Sequence, residues 1–229
     1  MQKYPQARAE EFKQLIKLAE IQPNLTIADV PAGGGYLANY LDVQTKLIAV
    51  ETCPSFASLS ARDKNCSTVL CDSLERIPKE SQSVDRIVSL AGLHHIDALL
   101  PVLREFYRLL SPKGLLCIAD VYDDSKVAQF LDVFVARYSS GGHQGNFITR
   151  QTDSDLIKTG FNILFCRPIE YYWRFDSQQN MIEYCQLLFG LDLATLQEVL
   201  SGIENYLGYE VIDGQYCLNW QLWFYKCAK

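Results

Sequence analysis

The sequence predicts an α/β fold: a doubly wound, mainly parallel sheet of seven strands carrying a helical cap. Three observations lead there. Short runs of β-branched and apolar residues alternate with helical patterns through the first half of the chain. These runs are near-continuously apolar rather than alternating, which is the pattern of parallel strands covered by helices on both faces. Acidic residues also close three successive strands, at Asp29, Glu51 and Asp72, the first of them beside a triple glycine. A Rossmann-like sheet of this kind takes its ligand at the carboxyl ends of the strands, where strand order reverses.

The elements follow in order. An amphipathic helix is expected over Gln6–Glu20, with Phe12, Leu15, Ile16, Leu18 and Ala19 on its apolar side. The first strand, Thr26–Val30, runs into Gly33, Gly34 and Gly35 and then a helical pattern over Tyr36–Leu41. The glycines allow a sharp turn and let a ligand approach the main chain closely. Strands Lys46–Glu51, Ser67–Cys71, Val84–Leu90 and Gly114–Val121 come next, with helices Pro54–Arg62 and Ala98–Leu110 between them. The character then changes. Ser125–Tyr138 reads as a helix, residues 139–146 as a flexible loop with three glycines, and Thr152–Lys158 as a helix started by Asp153, Ser154 and Asp155 and closed by Gly160. Phe161–Phe175 is a long aromatic strand, Asp176–Leu207 is helical in two pieces, and Gln215–Lys226 alternates like a final strand.

Composition narrows the function. Hydrophobic residues are 48% and charged residues 21% of the 229, as in ordinary globular proteins. The net charge of −6, with no cluster of Lys and Arg, argues against nucleic acid as a partner. No apolar run reaches the ~20 residues of a membrane span, and the first residues lack the apolar centre of a secretion signal, so a cytoplasmic protein is expected. The eight cysteines form no C-x-x-C pair and read as reduced thiols. The histidines, His94, His95 and His143, are too few and too poorly spaced for a zinc cluster, so no metal is expected.

The strand ends carry the chemistry. An acid placed like Glu51, ending the second strand, can accept both hydroxyls of a ribose. A carboxylate placed like Asp72 can accept from an exocyclic adenine amine. Three acids at one crevice suit a cationic ligand and would repel a pyrophosphate. Gly33–Ala38 also fits the dinucleotide fingerprint G-x-G-x-x-A, so a nicotinamide-dependent oxidoreductase is the alternative from the loop alone. Asp72 and the block Leu93-His94-His95-Ile96 have no use in that chemistry, and no Tyr-x-x-x-Lys pair stands where hydride transfer would need it.

The stretch Asp85–Asp97, followed by the turn Arg108-Leu-Leu-Ser-Pro-Lys-Gly114, resembles the class I S-adenosylmethionine-dependent methyltransferases. The likeness is to the small-molecule group with a methyltransferase domain of the ubiquinone and menaquinone type, and it covers roughly residues 24–122. It implies S-adenosyl-L-methionine as cofactor, S-adenosyl-L-homocysteine as product and a small-molecule acceptor. Asp29, Ala32, Gly33 and Gly35 would hold the methionine part, Glu51 and Thr52 the ribose, and Asp72 and Ser73 the adenine. Leu90 and Ala91 would lie near the transferring methyl. The family's D-x-G-x-G-x-G departs at one place: Pro31 replaces the first glycine, which removes an N–H and stiffens the turn. A cofactor-binding relative without catalysis, serving as a partner subunit, is the other alternative.

The chain then divides as one domain, 1–229, with 24–122 as the cofactor-binding core and about 1–20, 123–153 and 176–209 as substrate-side cap segments. His94 and His95 are candidate general bases, should the acceptor need to lose a proton. The competing reading packs either ring on the sheet edge against a backbone carbonyl. Tyr171, Tyr172, Trp173 and Phe175 are read either as acceptor-pocket aromatics or as core. The sequence does not fix the acceptor or the oligomeric state.

Overall fold

The computed structural model describes residues 3–41, 44–61 and 66–229. Five strands build the parallel half: β1 (Thr26–Asp29), β2 (Lys46–Glu51), β3 (Cys66–Leu70), β4 (Val84–Leu90) and β5 (Leu110–Asp120). The second half adds β6 (Asn162–Phe175), β7 (Tyr209–Ile212) and β8 (Gln215–Ala228). The sheet runs in the order β3-β2-β1-β4-β5-β8-β6. The pairs among β1 to β5 are parallel, while β8 lies antiparallel to both β5 and β6. Strand order reverses between β1 and β4, the place where such a sheet takes its ligand.

Helices cover both faces, as near-continuous apolar strands require. Ile27, Leu47, Val88 and Cys117 pack with α1 (Ala9–Leu18) and with the helices of the second half. Their neighbours Ala28, Ile48, Ile87 and Leu116 pack with α3 (Leu99–Leu109) and with the later helix Arg150–Thr159. α2 is Pro54–Ser60, and Arg62, its expected end, lies outside the described residues. The pattern expected over Tyr36–Leu41 is a 3-10 turn, Tyr36–Tyr40. The run 126–138 is helical throughout: α4 (Lys126–Gln129), a π-helical stretch Phe130–Val135 and α5 (Ala136–Tyr138).

Four expectations are corrected. The sheet has an eighth strand, β7, which pairs with β8 through the two-residue turn Asp213-Gly214, both at positive φ; an Asp-Gly step between two extended runs favours this hairpin. β5 starts at Leu110, because Leu110 still pairs with Val84 before 111–114 loop out and Leu115 pairs with Arg86. α6 (Arg150–Thr159) starts earlier than expected: Thr149, not Asp153, is its N-cap, in a capping box with Thr152. Gly160 closes it at φ +105 as expected. The expected opening helix is also trimmed at both ends to α1.

The antiparallel pair overhangs the parallel half. Asp120, the end of β5, is level with Trp223 and so with Pro168 of β6. From Pro168 the strand continues to Phe175, paired with β8 as far as Tyr216, about 23 Å at ~3.3 Å per residue. α7 (Gln178–Leu188) and α8 (Leu196–Gly202) pack against this end through Met181, Ile182 and Val199. The first helix is tied to it as well: Arg174 N–H donates to the Ala7 carbonyl at 3.0 Å, and Trp173 Nε1 donates to Glu11 at 2.6 Å.

Candidate active site

Two turns meet at the reversal between β1 and β4. The first follows Asp29, whose successor Val30 donates its N–H to Val88 of β4 at 2.9 Å. Gly33, Gly34 and Gly35 all lie at positive φ, +57, +95 and +77, a region that side chains disfavour. Gly35 is also needed for packing, since a Cβ there would come within 3.0 Å of Ser60 on α2. At Gly33 a Cβ would meet nothing within 4 Å, so the main chain there faces open space. Ala32, by contrast, is buried and its N–H donates to Val50 at 3.0 Å.

Glu51 closes β2 with only 2% of its surface exposed. Its carboxylate accepts the Gly33 N–H and is also bonded by the backbone of Gly34, Thr52 and Cys53. Burial outweighs these donors, and its pKa is raised. Asp29, 4% exposed, is pushed well above the carboxylate range by burial and then by the charge of Glu51. Among the described residues no Lys, Arg or His forms an ion pair with either acid. Two buried carboxylates of one sign, beside open main chain, make a cradle for a cation.

Asp72 and Ser73 differ from these two acids in burial. Both are exposed just beyond β3, and the Ser73 hydroxyl accepts the Glu75 N–H at 3.1 Å. The link to Glu51 is made by the backbone, with the Cys71 N–H donating to the Glu51 carbonyl at 2.9 Å. Thr52 is exposed too.

The second turn follows Leu90. Ala91 sits at φ +48, an uncommon conformation for a residue with a side chain, and its N–H is held by Ala119 at 2.8 Å. Gly92 touches the first turn directly, because a Cβ there would lie 2.5 Å from Pro31 Cγ. Pro31, the departure from the family pattern, is therefore the packing partner of the second turn.

Asp120 organises that turn. Fully buried at the end of β5, it accepts N–H groups from Gly92 at 3.1 Å, Leu93 at 2.8 Å and His94 at 3.3 Å, and pairs with His94 Nδ1 at 2.6 Å. Burial works against both charges, but the pairing prevails: His94 is raised and Asp120 lowered. The partner of the His94 side chain is thus a carboxylate and not a backbone carbonyl, as the competing reading had it. His95 is pushed down to about 4 by the desolvation of its ring and by the His94 and His143 rings, although part of its side chain is exposed.

The third histidine arrives from the glycine loop. His143 Nδ1 lies 2.8 Å from Asp132, which also accepts the Gly145 N–H at 3.1 Å. The Asn146 N–H donates to the His94 carbonyl at 2.7 Å, and Ser140 N–H to Asp192 at 2.8 Å. The loop is therefore held at several points. The spacing that set the histidines apart in sequence is overruled by the fold, which places the rings of His94 and His95 at 4.0 Å and each at 5.8 Å from His143.

Sequence reasoning missed Asp120, Asp132 and Glu11. Glu11, fully buried on α1, accepts from Trp173 and from Arg8 Nε at 3.1 Å. Of the aromatics with two readings, Tyr171, Trp173 and Phe175 are core, 6%, 1% and 3% exposed, and Trp173 stacks on Trp220 at 4.0 Å. A cleft of about 670 Å³ opens beside the overhang, lined by residues that include Ser125, Lys126, Tyr172, Glu210 and Asn219 but by neither the acids of the cradle nor the histidines.

Residues 28–118 match the family model described as a methyltransferase domain. No curated protein matches the chain. Solved structures share its fold. The YcgJ protein of Bacillus subtilis is 14% identical with a TM-score of 0.68, covering 96% of this chain and 98% of that one. A SAM-dependent methyltransferase from Aquifex aeolicus is 14% identical with a TM-score of 0.58, covering 96% and 92%. A geranyl diphosphate C-methyltransferase from Streptomyces coelicolor, in complex with Mg2+, geranyl diphosphate and S-adenosyl-L-homocysteine, is 14% identical with a TM-score of 0.62, covering 97% and 79%. The chain thus shares the fold of solved methyltransferase structures, and no comparison singles out the ubiquinone and menaquinone type.

Proposed function

We propose that this chain, with its methyltransferase domain match, binds S-adenosyl-L-methionine and methylates a small-molecule acceptor. One observation carries the reading: the buried acids Asp29 and Glu51 flank an open glycine turn at the strand-order reversal, with no cation of their own among the described residues. A ligand with a sulfonium and an ammonium group fits that cradle by charge. When bound, the cofactor supplies a methyl already activated on sulfur, with S-adenosyl-L-homocysteine as product.

The chain's own residues then have to bind, align and exclude water. Asp29 and the turn at Ala32, Gly33 and Gly35 would hold the amino-acid end, and Glu51 with Thr52 the ribose. Asp72 and Ser73, on the exposed rim of β3, would meet the adenine edge. Leu90 and Ala91 would present backbone to the reacting end, next to the histidine turn. In metal-free protein, the Asp120 carboxylate at Nδ1 leaves Nε2 of His94 as the atom able to take a proton from an acceptor. The segments 1–20, 123–153 and 176–209 would form the acceptor side, over the overhanging strands. Cofactor binding without catalysis is the second reading, and Pro31 in the glycine motif is the feature that favours it.

Calorimetry with S-adenosyl-L-methionine and S-adenosyl-L-homocysteine tests the first step; binding of neither refutes the proposal. Transfer of a labelled methyl to small molecules from a cell extract separates the enzyme from the non-catalytic reading.

A further inference from the structure

We propose that His94, His95 and His143 form a site for one divalent transition-metal ion of the zinc class, held by three imidazoles with a fourth position open. One ring nitrogen from each of the three lies within 4.8 Å of the other two. Tetrahedral coordination at ~2.0–2.1 Å places ligand nitrogens about 3.4 Å apart. Closing the site therefore takes ring movements on the order of 1 Å, small for side chains of which one is exposed and one sits on a loop.

The surroundings carry the argument further than the rings alone. Nδ1 of His94 is held by Asp120 at 2.6 Å, and Nδ1 of His143 by Asp132 at 2.8 Å. With Nδ1 held this way, Nε2 is the nitrogen left to these two rings for a metal. The carboxylate fixes the tautomer and raises the basicity of Nε2, and metal-ligating histidines almost always have such a partner. Here two of the three rings have one, supplied by two different segments of the chain. The same carboxylates bring the negative charge that three neutral ligands lack. Phe147 lies against His94 and His143, at 5.9 and 6.2 Å between ring centres, and walls off one side. The exposed His95 leaves the other side open to solvent and to a fourth ligand. Three nitrogen ligands and no oxygen ligand select Zn2+, Co2+, Ni2+ or Cu2+ over Mg2+ and Ca2+.

The site lies on the turn that Gly92 and Pro31 pack against the turn of Gly33, Gly34 and Gly35, so under the proposed function a bound ion would face the acceptor side. The inference itself stands apart from methyl transfer. It is tested on untagged, chelator-stripped protein by titration with Co2+, followed by its visible absorption. The expected result is saturation near about one Co2+ per chain with the strong bands of a tetrahedral site, displacement by Zn2+ and no displacement by Mg2+. His143→Ala and His95→Ala should each abolish those bands, while Asp132→Asn keeps them with affinity weakened about 10–100-fold. Unchanged far-ultraviolet dichroism of the metal-free variants shows that they fold. No Co2+ binding by the parent protein, bands that survive His143→Ala, or equal competition by Mg2+ would overturn the site. Calorimetry with S-adenosyl-L-homocysteine on the same stripped protein keeps the two ideas separate, since either ligand can bind without the other.

Discussion

Replacing Glu51 by Gln should separate ligand binding from stability, because the two depend on its charge in opposite directions. The carboxylate is buried at the end of β2, bonded by main-chain N–H groups of Gly33, Gly34, Thr52 and Cys53. Its pKa is nevertheless raised, with burial the largest cause. For an acid with a raised folded pKa, the stabilising contribution is present while the group is protonated and is lost as pH rises through that pKa. Burial therefore makes the ionised form of this side chain costly to the ligand-free fold. Gln removes that charge but keeps an oxygen for only part of the donors, so the two effects oppose each other and the ligand-free protein should change little in stability. The ligand complex should suffer, since a charge-assisted hydrogen bond contributes ~1.5–3 kcal/mol, or roughly a 10–100-fold loss of affinity. Calorimetry with S-adenosyl-L-homocysteine at neutral pH reads the first quantity and urea unfolding of the ligand-free protein the second. An unchanged affinity removes Glu51 from the site. Affinity and stability falling together would mean that the residue only holds the glycine turn.

Asp29 should make cofactor affinity depend on pH: its raised pKa favours the neutral acid in the free protein, and a cation favours the carboxylate. Affinity for S-adenosyl-L-methionine should rise about tenfold per pH unit below that pKa, and a flat profile in the parent protein refutes this; Asp29→Asn should flatten it. Gly92→Ala drives a Cβ to 2.5 Å from Pro31 Cγ, so it should cost ~1–3 kcal/mol of unfolding free energy, restored by adding Pro31→Gly; no rescue means the two turns do not pack on each other in solution. Glu11→Ala strands Arg8 and the Trp173 N–H in a buried setting and should cost about 3–5 kcal/mol; a loss under ~1 kcal/mol in urea unfolding would show that water reaches the pair.

The parallel half was legible because each of its strands is a closed apolar run. β2 and β4 fall where the composition alone put them, and β1, β3 and β5 differ by a few residues at the ends. Asp120 was equally legible and was missed, for it ends β5 by the same rule that picked out Asp29, Glu51 and Asp72. The hairpin of β7 and β8 also had its signal, the step Asp213-Gly214, but four residues of strand are too few to show a period. The histidine cluster was not legible. Its members are joined by the return of 139–146 over the end of β4, through hydrogen bonds from Gly145 and Asn146, and no spacing along the chain encodes that contact. Glu11 shows the limit from the other side. An acid beside Glu10 in an amphipathic helix reads as surface, but Glu11 is buried where Trp173 arrives from β6, with Arg8 as its other partner.

That arrival has a consequence for how the molecule is made. Glu11 and Trp173 stand 162 positions apart. During synthesis at ~5–20 residues per second, the first helix therefore waits about 8–30 s for the strand that buries its acid. Throughout that interval Glu11 and Arg8 remain hydrated, while the strands next to the glycine turn can already pair among themselves. The parallel half can thus assemble on the emerging chain before the overhanging strands exist, and the last step is the clasping of the first helix by its overhanging strand.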